Sequence, residues 1–254
     1  MKVKFLGTGT SQGVPVITCD CEVCTSLDFR DKRFRSSIFV EVDQVSLVID
    51  TGPDFRMQML RAGVKKLDAI LFTHEHKDHT AGLDDIRPFN FRQKKDMPIF
   101  GRLNVLEQIR KEFSYVFSAK KYPGVPQIDP IEIDENPFHF NGVSIIPIPV
   151  FHYKLPVLGF RIGDFSYITD ANFIPEESYK LLEGTEVLVL NALQQEPHIS
   201  HFTLDEAIDQ AQKIGAKKTY FTHISHRLGL HEKVCRELPE GIQLAYDGLE
   251  LTLS

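Results

Sequence analysis

The sequence predicts an α/β protein made of sheets covered by helices, and three observations carry that expectation. Short apolar segments bounded by turn residues recur in two waves, one before and one after a less regular stretch between Arg87 and Pro126. Segments with helical spacing alternate with them. Histidines and aspartates gather at the ends of the apolar segments, where strand ends in layered α/β folds converge and sites assemble. With 254 residues and 42% hydrophobic content the chain can bury a sizeable core. No linker, repeat or low-complexity tract divides it, so residues 1–254 read as one domain.

Net charge is −6 and the pI is near 5.9. No general basic field exists to concentrate a polyanion, which disfavours long nucleic acid as a substrate. A local arginine or metal pair still permits a small anion. No run of about eighteen apolar residues is present, and Met1-Lys2-Val3-Lys4-Phe5-Leu6-Gly7 reaches glycine too early for the apolar region of a signal peptide. The expected setting is therefore cytoplasmic, away from membranes, with cysteines held as thiols or metal ligands.

In order, Val3 to Leu6 is a strand that runs into Gly7-Thr8-Gly9-Thr10-Ser11-Gln12-Gly13. The glycine spacing, with Val14-Pro15 where a helix should open, does not fit a dinucleotide loop. A tight loop approaching another part of a site, or a plain turn, fits better. Cys19, Cys21 and Cys24 follow. Thiolates this close can wrap a tetrahedral zinc, and the fourth ligand such a closed site needs is assigned to His226. A redox pair or buried thiols are the alternatives. Cys235 stands apart on a helical segment and reads as core.

Ile38–Val42 and Val45–Ile49 form a hairpin around Asp43-Gln44, ending in the polar cluster Asp50-Thr51-Gly52-Pro53-Asp54, a site edge or a turn. Phe55–Ala62 reads as a helix stopped by Gly63. The strand Leu67–Phe72 delivers the densest motif of the chain, Thr73-His74-Glu75-His76-Lys77-Asp78-His79-Thr80. Imidazoles and carboxylates at these spacings are good ligands for zinc, manganese or iron. A solvated polar loop is the bland alternative, and it requires the ligands found downstream to be accidental. Thr80–Ile86 reads as the helix leaving the motif. Val105–Phe113 has helical spacing and Phe113–Pro126 reads as a loop. Arg92, Lys94, Lys95, Lys120 and Lys121 form either a solvated face or an anion collector, and Arg87 is the candidate for binding a substrate phosphate.

The second wave comprises Ile128–Ile133, Phe138–Phe140 and Val143–Val150, the last leading to His152. Leu158–Ile162 and Phe165–Thr169 form a hairpin that ends in Asp170. Glu176–Glu183 is helical, and Val187–Leu190 is a strand with Asn191 at its end. Thr203 caps a helix with Glu206 three residues on, a capping box. Lys217–Phe221 is a strand ending in Thr222-His223-Ile224-Ser225-His226, and Ile242–Tyr246 with Leu249–Leu253 reads as a closing hairpin around Asp247-Gly248.

Thr-His-x-His-x-Asp-His, then a histidine, an aspartate and a histidine, resembles the metallo-β-lactamase-fold hydrolases over essentially the whole chain. The resemblance implies a four-layer αββα sandwich holding two divalent metals (zinc or manganese, with iron as a further option). By position His74, His76 and His152 would hold one metal, Asp78, His79 and His223 the other, and Asp170 would bridge them. The Cys19-x-Cys21-x-x-Cys24 insertion at 19–24, together with His226, further resembles PhnP-type phosphodiesterases of phosphonate utilisation, implying one structural zinc. That likeness makes His201 the residue assisting phosphoryl chemistry, beside Asp78 and Asp170 in the catalytic set, and a small cyclic ribosyl or nucleotide phosphodiester the substrate. Asn191 stands where those enzymes carry an aspartate. A homodimer is compatible with the resemblance. Transfer-RNA 3′-end nucleases and thioester hydrolases on the same scaffold are the rival readings, and a metal-binding protein without turnover is the rival of another class.

Overall fold

The computed structural model describes residues 1–120 and 122–253; Lys121 lies outside them. The chain runs β1 (Lys2–Gly7), α1 (Glu22–Thr25), β2 (Ser37–Val42), β3 (Val45–Ile49), α2 (Phe55–Ala62), β4 (Ala69–Leu71), α3 (Lys77–Thr80), α4 (Arg87–Gln93), β5 (Met97–Gly101), α5 (Leu103–Glu112) and β6 (Ile128–Glu132). It continues with β7 (Phe138–Phe140), β8 (Val143–His152), β9 (Leu155–Ile162), β10 (Phe165–Ile168), α6 (Glu176–Leu182), β11 (Val187–Asn191), α7 (Leu204–Ile214), β12 (Lys218–Thr222), α8 (His231–Glu237), β13 (Ile242–Leu244) and β14 (Glu250–Thr252). These elements form two compact units whose chain segments interleave.

The first unit comprises Met1–Leu6, Ser37–Asp134 and the residues from Glu250 onward. Its seven-stranded sheet has the order β14-β1-β2-β3-β4-β5-β6. Strands β3 to β6 are parallel, whereas β2 and β14 pair antiparallel with β3 and β1. All five residues of β3 are buried, as expected for a strand covered on both faces. Phe55 and Met59 of α2, one helical turn apart, and Leu106 and Ile109 of α5 pack with Val48, Ile70 and Ile99 of the sheet. Gly63 ends α2 in the left-handed conformation at φ 67°, returning its N–H to Leu60 O.

The second unit comprises Gly7–Ser36 and Glu135–Leu249. Its seven strands run β13-β12-β11-β10-β9-β8-β7, antiparallel from β7 to β10 and parallel from β10 to β13. Helix α7 opens with the expected capping box, Thr203 accepting from Glu206 N while the Glu206 side chain accepts from Thr203 N, and buries Leu204, Ala207 and Ala211 along one stripe. Each unit thus supplies a mixed sheet with its own helices, the α/β content that an αββα sandwich is made from.

The structure corrects several expectations. The helix after the histidine motif starts inside it, at Lys77, and only a tight 3₁₀ turn at Leu83–Ile86 separates it from α4, so Arg87 is itself the first residue of a helix. Strand β5 lies in the stretch expected to be irregular. The C-terminal hairpin does not form: β13 pairs in parallel with β12 of the second sheet, whereas β14 pairs with β1 of the first. Asp247 and Gly248 do form a turn, with Leu249 N donating to Tyr246 O at 3.1 Å, but Asp247 is an anchor as well. Its buried carboxylate accepts from Thr8 N (2.9 Å), Thr8 Oγ1 (2.8 Å) and Phe34 N (2.7 Å), and this anchoring separates the two strands.

Candidate metal centres

In the first unit, β4 is too short to carry the motif, and Asp50 fixes it instead. The Asp50 carboxylate accepts from Thr73 N (2.9 Å) and Thr73 Oγ1 (2.8 Å), and lies 2.7 Å from His79 Nδ1. Asp50 and His79 are fully buried. Burial pushes the Asp50 carboxyl up, against the pull of His79 and the Thr73 donors. An Nδ1–H donated to Asp50 selects the tautomer whose Nε2 lone pair is available to a metal. That Nε2 lies 3.2 Å from Asp78 Oδ2. His74 Nε2 and His76 Nδ1 are likewise 3.0 Å apart. Two metal ligands bound at about 2.0–2.2 Å would be spaced comparably, so the donor set fits a divalent cation. Asp50 went unassigned at the sequence level. Its only signal was its place in a polar cluster at a strand end.

The second unit repeats this logic. His152, the last residue of β8, presents Nδ1 to Ser200 O at 2.9 Å, leaving Nε2 as its ligand atom. Asp170 follows β10 in the left-handed conformation, at φ 58°, and His223 follows β12 at φ 55°. Asp170 Oδ1 lies 2.9 Å from His201 Nε2 and 3.0 Å from His223 Nε2, while Asp170 Oδ2 accepts from Thr169 Oγ1 at 2.9 Å. Non-glycine residues in this conformation cost energy and concentrate where a site fixes them. Ligand atoms of His152, Asp170 and His201 all lie within 4.8 Å of one another, so His201 itself stands within ligand reach. His198, also unassigned from sequence, places Nδ1 3.1 Å from His201 Nδ1. The glycine loop does approach the site: Thr10 Oγ1 is 3.2 Å from His223 Nε2. Gly9 is needed there because a Cβ would come within 2.9 Å of Arg33 Cβ.

A separate centre lies wholly within the second unit. Cys19, Cys21, Cys24 and His226 offer ligand atoms all within 4.8 Å, with His226 Nδ1 3.2 Å from Cys19 Sγ and 3.3 Å from Cys21 Sγ. Three sulfurs and one nitrogen at such separations suit tetrahedral zinc. The Cys24 backbone N–H draws the Cys21 thiol down to about 6, whereas burial pushes Cys24 up.

Arg87 stands in the first unit, in the wall of a cavity of about 760 Å³ shared with Phe91, Tyr115, Lys120 and Tyr122. Its Nε donates to Asp84 O at 3.1 Å and its terminal nitrogen to the Asp84 carboxylate, which also takes the Tyr115 hydroxyl. Lys95 pairs with Asp68 at 2.9 Å, which accounts for one of the basic residues structurally.

Residues 46–224 match the family described as the beta-lactamase superfamily domain. The chain belongs to that superfamily. Over 253 residues it is 39% identical to a protein of Porphyromonas gingivalis named octanoyltransferase, a match covering 98% of this chain and 51% of that protein. It is 28% identical over 168 residues to ribonuclease Z of Staphylococcus epidermidis, covering 64% of this chain and 49% of the other. The chain thus spans about half the length of these curated relatives. The crystal structure of a diphosphatase from the PhnP family superimposes with a TM-score of 0.93 at 42% identity, covering 100% of this chain and 98% of the other. The metallo-β-lactamase fold expected from the motif order is thereby established, and that fold implies divalent metal ions.

Proposed function

We propose that this superfamily member is a hydrolase using two divalent metals to cleave small phosphodiesters, with residues 1–254 acting as one catalytic domain. The likeness to a PhnP-family diphosphatase over the full chain carries this reading, and the tautomer-fixed histidines support it. In the proposed ligand set His74, His76 and His152 would hold one metal, Asp78, His79 and His223 would hold the other, and Asp170 would serve both. A bound pair of divalent cations lowers the pKa of water and neutralises charge on phosphoryl oxygens.

The chain's own groups supply orientation and proton transfer. Asp50 holds His79, and Ser200 O holds His152, each in the tautomer that leaves Nε2 for the metal. Water attacks phosphorus in line and gives up a proton to solvent, the P–O bond to the leaving group breaks, and His201 Nε2 donates a proton to the departing oxygen. Arg87, pre-set by Asp84, receives a non-reacting phosphate oxygen. The Cys19, Cys21, Cys24 and His226 site takes a structural zinc.

The name of the 42% identical structure favours one second reading, a diphosphate substrate. The step is the same with a phosphate as leaving group. The test is hydrolysis of bis-p-nitrophenyl phosphate, a 2′,3′-cyclic nucleotide, a nucleoside diphosphate, a β-lactam and a glutathione thioester by protein loaded with zinc, manganese or iron. Diester turnover supports the first reading and diphosphate turnover alone the second. Turnover confined to the β-lactam or thioester, or none at all, rejects both.

A further inference from the structure

We propose that Asn191 is the positioning residue of the Asp170–His201–His223 cluster, acting through one residue, Ala171; the role rests on the metal-hydrolase reading above. Asn191 is the last residue of β11 and is fully buried. Its Oδ1 accepts from Ala171 N at 2.7 Å and its Nδ2 donates to Ala171 O at 2.9 Å, so the amide grips both polar main-chain groups of the residue after Asp170. Ala171 is itself fully buried, and with no water to replace these partners each bond is costly to lose. Asp170 sits at φ 58°, and the grip on its neighbour holds the chain in that unfavourable turn.

The same hub reaches the two histidines. Ala171 O also accepts from Phe202 N at 2.9 Å, which fixes the residue next to His201. On the other side, β11 and β12 align Asn191 opposite Thr222, the residue before His223, and Ala192 N donates to Thr222 O at 3.0 Å. The Asn191 side chain thus fixes Ala171 directly and Phe202 through it, at the position where its own strand runs beside the backbone that leads to His223.

An aspartate has the same shape but, when ionised, only accepts. It would keep the bond from Ala171 N and set an oxygen against Ala171 O, besides adding buried negative charge near Asp170. This chain's asparagine thus serves a clamp that needs one acceptor and one donor together.

The test uses the full chain loaded with cobalt(II), whose d–d absorption reports ligand geometry, in wild type, Asn191→Asp and Asn191→Ser. Both variants are expected to bind cobalt at wild-type stoichiometry with a shifted band, to bind it about tenfold more weakly, and to lose about tenfold or more in kcat on bis-p-nitrophenyl phosphate with KM within about threefold, the scale for outer partners of metal ligands. An unchanged band with kcat within about twofold overturns the proposal. So does a loss of kcat in proportion to lost cobalt at an unchanged band, and so does failure of both variants to fold, which assigns Asn191 to stability alone. If wild type leaves the diester intact, the diester reading fails, while band position and cobalt affinity still decide the role of Asn191.

Discussion

At the scale of single residues, the candidate metal-ligating histidines His79 and His152 are held by groups remote in sequence. Asp50 and His79 are 29 positions apart, yet the carboxylate determines which imidazole nitrogen is exposed to a metal. Asp50→Ala is expected to lower metal affinity or turnover about 10- to 100-fold without abolishing the fold, measured by metal titration and thermal melting. Gly82 illustrates a different constraint. A Cβ there would lie 2.1 Å from Gly52 O and 2.7 Å from Phe55 Cβ, and neither neighbour can yield without moving the turn beside the histidine motif. Gly82→Ala should therefore destabilise the protein by about 1–3 kcal/mol or more, as overpacking does, read as a lower denaturation midpoint. The candidate ligands stood out in the sequence because His74, His76, Asp78 and His79 crowd into one short motif, while His152, Asp170 and His223 each follow an apolar segment. Asp50 and Asn191 were not assigned because each acts through a partner that only the folded chain brings near, whereas His198, three residues from His201, follows no strand end that would have marked it.

At the scale of elements, amphipathic periodicity and caps marked most helices and strands, and the exceptions have physical causes. Strand β5 contains Pro98, which breaks the strand signal, yet its neighbour β6 pairs with it in parallel along five residues, Met97 to Gly101. Asp247-Gly248 carries a strong hairpin signature, but a carboxylate bonded to Thr8, 239 residues away, sends the flanking strands to different sheets. The cysteine loop is an element held by chemistry rather than by core. Val14, Val23 and Cys24 form a small cluster of their own, too little to fix so polar a segment, so bound zinc would account for much of its stability. Cys21→Ser should lower zinc stoichiometry by one, measured by elemental analysis, and reduce the melting temperature while the other metals still bind. Zinc at wild-type stoichiometry in that variant would remove Cys21 from the ligand set.

For the whole molecule, acid stability is expected to depend on a group outside the candidate metal centres. Burial, and then Arg33 and Arg30, press the His231 imidazole from 6.5 down to about 4, opposed by Asp31 and Asp28. Its Nδ1 lies 3.1 Å from the buried Arg33 guanidinium. The folded state therefore holds His231 neutral where the unfolded state would protonate it. Its contribution is full above pH 6.5, declines as pH falls, and is lost once pH passes below about 4. The melting temperature should fall over that window, and His231→Phe should flatten the fall relative to wild type when both are measured in the same buffers. The first sheet adds a constraint of another kind. Met1 N donates to Leu253 O at 3.0 Å, Leu253 N donates to Met1 O at 2.9 Å, and β1 is flanked by β14. Without β14, β1 would present a bare strand edge ready to pair with other chains, which makes Glu250–Thr252 a safeguard against aggregation.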